Sequence, residues 1–119
     1  MKTYQLSLND RPFKAIKAGT KKIEGRVPTK RNANVPFDKL NKGDSIIFTN
    51  RETEEKMEVK ILGVRHYKDA REMLETEGIK NVLSSNSTIE EGIESYNSFE
   101  GYKEGIVEKG IYAIEVKPL

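Results

Sequence analysis

Tyr4, Leu6 and Leu8 alternate with Thr3, Gln5 and Ser7, and this two-residue period predicts a half-buried strand. The period then changes. Phe13 and Ile16, with Ala15, share one side of a helix, while Lys14 and Lys17 face solvent. Asn9 and Asp10 are suited to cap that helix, Pro12 is tolerated in its first turn, and Gly19 sits where a left-handed cap would end it. Lys22 to Val27 reads as a second strand. Residues 28–43 contain Pro28, Pro36 and Gly43 and predict a long loop, pinned by Val35, Pro36, Phe37 and Leu40. A loop of this length in a small domain is often functional.

Asp44 to Thr49 reads as a third strand with Ile46, Ile47 and Phe48 as its apolar run. Asn50 to Glu55 is a polar turn. Met57, Val59 and Ile61 alternate with Lys56, Glu58 and Lys60, which predicts the return strand of a hairpin. Asp69 can cap a helix reaching about Glu77, with Ala70, Met73 and Leu74 buried and Gly78 as its end. Ser84 to Ser87 reads as a linker. Ser87 with Glu90, and Thr88 with Glu91, both fit a capping box for a helix that buries Ile89, Ile93 and Tyr96. Phe99 to Gly105 reads as irregular. Ile111 to Lys117 is apolar on both faces, as expected of a central strand. Strands in this order with helices at the edges predict an α+β domain built on a small barrel.

The length of 119 residues fits one domain covering 1–119. Hydrophobic residues make up 35% and charged residues 34%, so the core is small and the surface highly polar. No apolar run approaches the roughly 18 residues of a membrane helix, and the first residues lack the apolar stretch of a signal peptide. The absence of cysteine removes disulfides, thiolate metal sites and cysteine nucleophiles. A cytoplasmic protein with no membrane attachment is the expectation.

The net charge of +2 hides an asymmetry. Residues 1–60 carry 14 basic and 8 acidic groups, whereas residues 61–119 carry 7 basic and 11 acidic groups. The basic half is where a polyanion would bind. Its densest part runs from Arg11 to Arg31, with eight Lys or Arg residues and Glu24 as the one acid. On a strand, Lys22, Glu24 and Arg26 would share a face, with Ile23 sealing the core and Gly25 leaving room for a close neighbour. The turn after Gly19 can swing Lys21 toward the same side. An ammonium, a carboxylate and a guanidinium would then converge on one concavity. The residues alone leave two readings open: a ligand site, or a surface ion pair of Glu24 with Lys22 or Arg26, which would contribute about 0–1 kcal/mol.

Other residues add less. His66 is the one histidine, so neither a two-histidine metal site nor a Ser-His-Asp triad can be built, and packing is its expected role. Asn50 and Arg51 could reach the cleft from the hairpin turn, Arg51 as a phosphate contact. Lys30 and Arg31 could clamp a backbone from the long loop. Tyr96, Phe99 and Tyr102 could stack on bases, although Tyr96, at helical spacing, fits a core position better. Glu75 and Glu77 would be second carboxylates for a hydrolase, or a solvated helix face. No Gly-rich phosphate loop or metal-ligand cluster is present, so no metal or other cofactor is expected.

Gly19-Thr20-Lys21-Lys22-Ile23-Glu24-Gly25-Arg26 matches the G-x-K-x-x-E-x-R signature of the ASCH domain family. The helix before it, Lys42-Gly43-Asp44 leading into Ile46–Asn50, and the closing Gly110–Val116 also resemble that family. The resemblance covers nearly the whole chain. It implies a small PUA-like β-barrel of about five to six strands with flanking helices, and a cleft for RNA or a nucleotide-sized ligand beside the motif strand. On that basis Lys21, Lys22, Glu24, Arg26, Asn50 and Arg51 are the candidate ligand-binding residues. Some members of the family are amidohydrolases that deacetylate N4-acetylcytidine, with a Lys at the Lys21 position assisting a Thr nucleophile at the Glu24 position. Glu24 replaces that Thr here, so the covalent mechanism does not carry over. Other members are described as ribonucleases. The expected function is therefore binding of RNA or a modified nucleoside or nucleotide. The alternative is a small hydrolase in which Glu24 is a general base and Lys21 an electrophilic contact.

Overall fold

The alternating N-terminal segment forms β1 (Thr3–Leu8) in the computed structural model, which describes residues 1–119. Helix α1 (Asp10–Ala18) follows and buries Phe13 and Ile16. Gly19 ends it at φ +84°, and the glycine N–H donates to the carbonyls of Ala15 and Ile16. Strand β2 (Ile23–Arg26) is short and buried throughout. The long loop contains two single turns, Lys30–Asn32 and Phe37–Lys39, and is anchored by buried Val35, Phe37 and Leu40. Strands β3 (Ser45–Asn50) and β4 (Lys56–Tyr67) make the hairpin. Helices α2 (Ala70–Glu77), α3 (Ile79–Val82), α4 (Ile89–Ser98) and α5 (Tyr102–Lys109) precede β5 (Ile111–Pro118).

The five strands form one curled mixed sheet in the order β1-β3-β4-β5-β2, a half-barrel with α+β architecture. The β1–β3 pair is parallel and the other three are antiparallel. Strand β5 lies between β4 and β2, which explains why it is apolar on both faces. Strand β4 is longer than the predicted hairpin return. Its first half pairs with β3, its second half pairs with β5 out to Tyr67, and a bulge between Ile61 and Gly63 lets it bend.

Two apolar clusters flank this sheet. One packs Phe13 and Ile16 of α1 and the loop anchor Phe37 against Ile46, Phe48 and Val59. The other packs Met73, Leu74, Tyr96 and Ile106 against Ile23, Ile111 and Ala113. At α2 the Asp69 carboxylate accepts from the Glu72 N–H at 2.9 Å. At α4 the capping box is made by Thr88 and Glu91, not by Ser87.

Two segments differ from the sequence reading. Residues 102–109 form a helix, although the chain as far as Gly105 is expected to be irregular. Gly105 disguises it: a Cβ there would lie 2.8 Å from Val27 Cγ1, so the glycine is required by close packing rather than by a break. The one-turn helix α3 precedes the Ser84 linker and is too short to leave a periodic pattern.

Candidate functional site

Strand β2 carries Glu24 and Arg26 inward, and the turn closed by Gly19 brings Lys21 beside them. All three side chains are buried. Lys21 Nζ lies 3.3 Å from Glu24 Oε1 and donates to the Ile23 carbonyl at 2.5 Å. It also donates to the Val82 carbonyl, at the C-terminus of α3. Lys21 Nζ is therefore held by two backbone carbonyls and paired with one carboxylate. Arg26 Nε donates to Glu24 Oε2 at 2.7 Å, and Arg26 Nη2 donates to the Ser7 carbonyl at 2.8 Å. Ser7 lies on β1 and Arg26 on β2, the two edges of the sheet, so one guanidinium bridges edges that no backbone ladder joins. Arg26 Nη1 has no hydrogen-bond partner.

Burial alone would raise the Glu24 carboxyl, but the Arg26 and Lys21 charges outweigh it and hold the group below its ordinary value. Burial drives the Lys21 ammonium below its ordinary value, with Glu24 opposing. Burial likewise opposes the charged form of Arg26, and the Glu24 carboxylate more than restores it. The triad is two cations on one anion. Two basic groups share one carboxylate in a site screened from water, an arrangement that suits a ligand rich in acceptor oxygens and ring nitrogens.

These groups form the floor of a cavity of about 490 Å³. One wall is the β1–α1 junction with Arg11. Another is the loop Leu83–Ser85, and a third is the α4–α5 corner with Tyr96, Phe99 and Tyr102. Tyr96 and Tyr102 are buried, whereas Phe99 is 44% exposed at the rim, with its ring centroid 5.3 Å from that of Tyr102. The Tyr96 hydroxyl rests over Gly25, the close neighbour for which that glycine leaves room. Burial pushes both tyrosine hydroxyls up, so each remains a neutral donor.

The remaining candidates separate. Lys22 is exposed and absent from the cavity lining, because β2 begins only at Ile23. Its backbone, not its amine, is engaged: the N–H donates to the Asn81 carbonyl and its own carbonyl accepts from Val116. The expected shared face of Lys22, Glu24 and Arg26 is therefore corrected to Glu24 and Arg26, with Lys21 entering from the turn. Asn50 is buried outside the cavity. It donates to Asp10 Oδ1 at 2.9 Å and accepts from the Glu52 and Thr53 N–H groups, which shapes the hairpin turn. That turn delivers Arg51 to the cavity wall. Arg31 also lines the cavity and pairs with Glu100 at 3.0 Å, whereas Lys30 does not reach it.

Glu75 and Glu77 lie elsewhere, and Glu77 instead accepts from Arg65 Nε at 2.6 Å and from the Tyr67 hydroxyl at 2.5 Å. His66 bonds the Lys109 carbonyl at 2.7 Å and packs on Tyr112. No three His, Cys, Asp or Glu side chains converge on a possible metal position, and no helix is long and apolar enough to cross a membrane. Sequence reasoning missed Val82, Ser7 and Asn9. Each acts through a backbone or small polar oxygen that leaves no signature in the sequence.

The family model for the ASCH domain matches residues 6–119. Among solved structures, the hypothetical protein PH0355 superposes with a TM-score of 0.81 at 38% identity, over 98% of this chain and 99% of that one. Protein PF0455 from Pyrococcus furiosus gives a TM-score of 0.74 at 34% identity, over 98% and 97%. The S128A mutant of ZmASCH from Zymomonas mobilis gives 0.62 at 16% identity, over 98% of this chain and 70% of that one, a likeness of fold. No curated protein matches the chain.

Proposed function

The chain belongs to the ASCH domain family, and we propose that it binds RNA or a nucleoside by seating one base in the cavity over Lys21, Glu24 and Arg26. The observation that carries this reading is the buried triad itself. Glu24 and Arg26 stand side by side, an acceptor next to the free Nη1 donor, and a base edge offers the complement: an exocyclic amine beside a ring nitrogen or carbonyl. Phe99 is placed at the rim as a stacking surface. Base–aromatic stacking contributes about 1–3 kcal/mol per base. Arg11, Arg31 and Arg51 surround the opening with positive charge for the phosphates.

The same geometry weighs against the hydrolase alternative as framed on Glu24 and Lys21. A carboxylate paired with two cations and held below its ordinary value is a weak base. The Lys21 amine is held by two backbone carbonyls and paired with Glu24, which turns it away from a substrate.

The test is titration of the labelled protein with the four nucleoside 5′-monophosphates and a single-stranded octamer RNA, followed by NMR. Binding with shifts at Glu24, Gly25 and Phe99, weakened in Phe99→Ala, is expected. Absence of binding by every one of these probes would overturn the reading.

A further inference from the structure

A second cavity of about 340 Å³ opens at the free edge of β1. It shares Ser7, Arg26, Arg31, Asn32 and Arg51 with the first. The two are adjoining compartments of one groove, with three guanidinium groups where they meet.

Their chemistry differs. The first compartment contains two carboxylates, Glu24 and Glu100, and three aromatic rings. The second has neither. What it adds to the shared residues is Leu6 and three polar, uncharged side chains: Gln5, Asn34 and Thr49. Thr49 pairs with Ser7 across the parallel ladder, and Gln5 is two residues before Ser7, so all three share one face of the sheet. Asn34 comes from the long loop, which gives that loop a part in the groove.

The cation at the junction is uncompensated. Arg31 is paired with Glu100 and Arg26 with Glu24, but Arg51 is held by neutral oxygens alone. Its Nε donates to Ser7 Oγ at 3.1 Å and its Nη1 to Asn9 Oδ1 at 3.0 Å. A guanidinium fixed by neutral acceptors keeps its full charge for an incoming anion, and its planar fork suits a phosphate.

We propose that the second compartment seats a neighbouring nucleotide, with the linking phosphodiester on Arg51 and the sugar against Gln5, Thr49 and Asn34. The ligand is then an oligonucleotide of two or more residues, not a free nucleoside. This inference rests on the reading that the first compartment takes a base.

The experiment compares cytidine 5′-monophosphate with the dinucleoside monophosphate CpC, by NMR titration of the wild type and of the Gln5→Ala/Asn34→Ala double variant. Both substituted residues are exposed, and a thermal melt verifies that the variant folds. The wild type should bind CpC about tenfold more tightly than the mononucleotide, the worth of one or two neutral hydrogen bonds to the second sugar, since both probes carry a phosphate for Arg51. The double variant should lose that gain and keep its mononucleotide affinity. If the mononucleotide binds and CpC gains nothing, or the gain survives in the double variant, the second compartment is not a nucleotide seat and the base site stands alone. If neither probe binds, the base-site reading fails and this inference falls with it.

Discussion

The hydroxyl of Tyr96 fills the space above Gly25: a Cβ on that glycine would lie 2.4 Å from the Tyr96 oxygen and 3.1 Å from Met73 Cε. A glycine in the middle of the motif strand thus lets helix α4 lay an aromatic wall directly on β2, between the apolar cluster and the charged triad. Gly25→Ala is expected to drive Tyr96 out of place and destabilise the fold by about 1–3 kcal/mol, the usual cost of overpacking. Urea unfolding measures it. Gly19→Ala is the control: its Cβ meets nothing within 4 Å, so the cost is left-handed strain alone, about 1–2 kcal/mol. The two variants should part in ligand binding, which only Gly25→Ala impairs.

Glu24 should set part of the acid limit of the fold. Its folded value lies below the ordinary 4.5, so its contribution is present above about 4.5 and is lost as pH falls through the folded value. Glu24→Gln leaves Lys21 and Arg26 buried without a counter-charge. It should cost about 3–5 kcal/mol at pH 7, with a shallower loss of stability below pH 4.5 than the wild type shows. Denaturation midpoints across that range decide the matter. An unchanged acid limb would show that Asp44 and Glu77, whose values are also lowered, dominate it.

Binding of an octamer RNA should weaken linearly in log–log salt plots. Arg51→Gln should reduce the slope by about 1, as expected for one lost phosphate contact. Lys80→Gln, exposed on α3 and outside the cavity lining, should leave the slope alone.

The ion-paired state of Glu24 predicts affinity without turnover. Free cytidine released from N4-acetylcytidine, followed by chromatography, should not exceed the rate in buffer. Turnover that disappears in Lys21→Ala would replace the binding account with a hydrolase.

Gly105→Ala raises helix propensity in α5 yet should destabilise by about 1–3 kcal/mol, because its Cβ would press on Val27 Cγ1 at 2.8 Å and the Pro28 carbonyl at 3.2 Å. A melting temperature above that of the wild type would show that α5 can shift freely on β2.

The chain by itself determined the elements whose signals are local. Alternation in Tyr4–Leu8 and in Met57–Ile61, the Asp69 and Thr88 caps and the double-sided burial of Ile111–Val116 all follow from steric and hydrogen-bonding rules that act over a few residues. So does the convergence of Lys21, Glu24 and Arg26, since a left-handed Gly19 and a strand at Glu24–Arg26 nearly suffice to place them together. Tertiary structure decided the rest. The Val82 carbonyl that completes Lys21 is 61 residues away in sequence, and Ser7, which Arg26 reaches, is 19 residues away. Lys22 looks like a site residue by spacing and Asn50 by its place at the hairpin turn, but the start of β2 and the bonds of that turn commit them elsewhere. Helix α5 was hidden because Gly105 reads as a break until Val27 is packed against it. Periodicity reports which face of an element is apolar, but not which distant backbone oxygen will meet a buried charge. That depends on how the sheet curls and where its two edges come together.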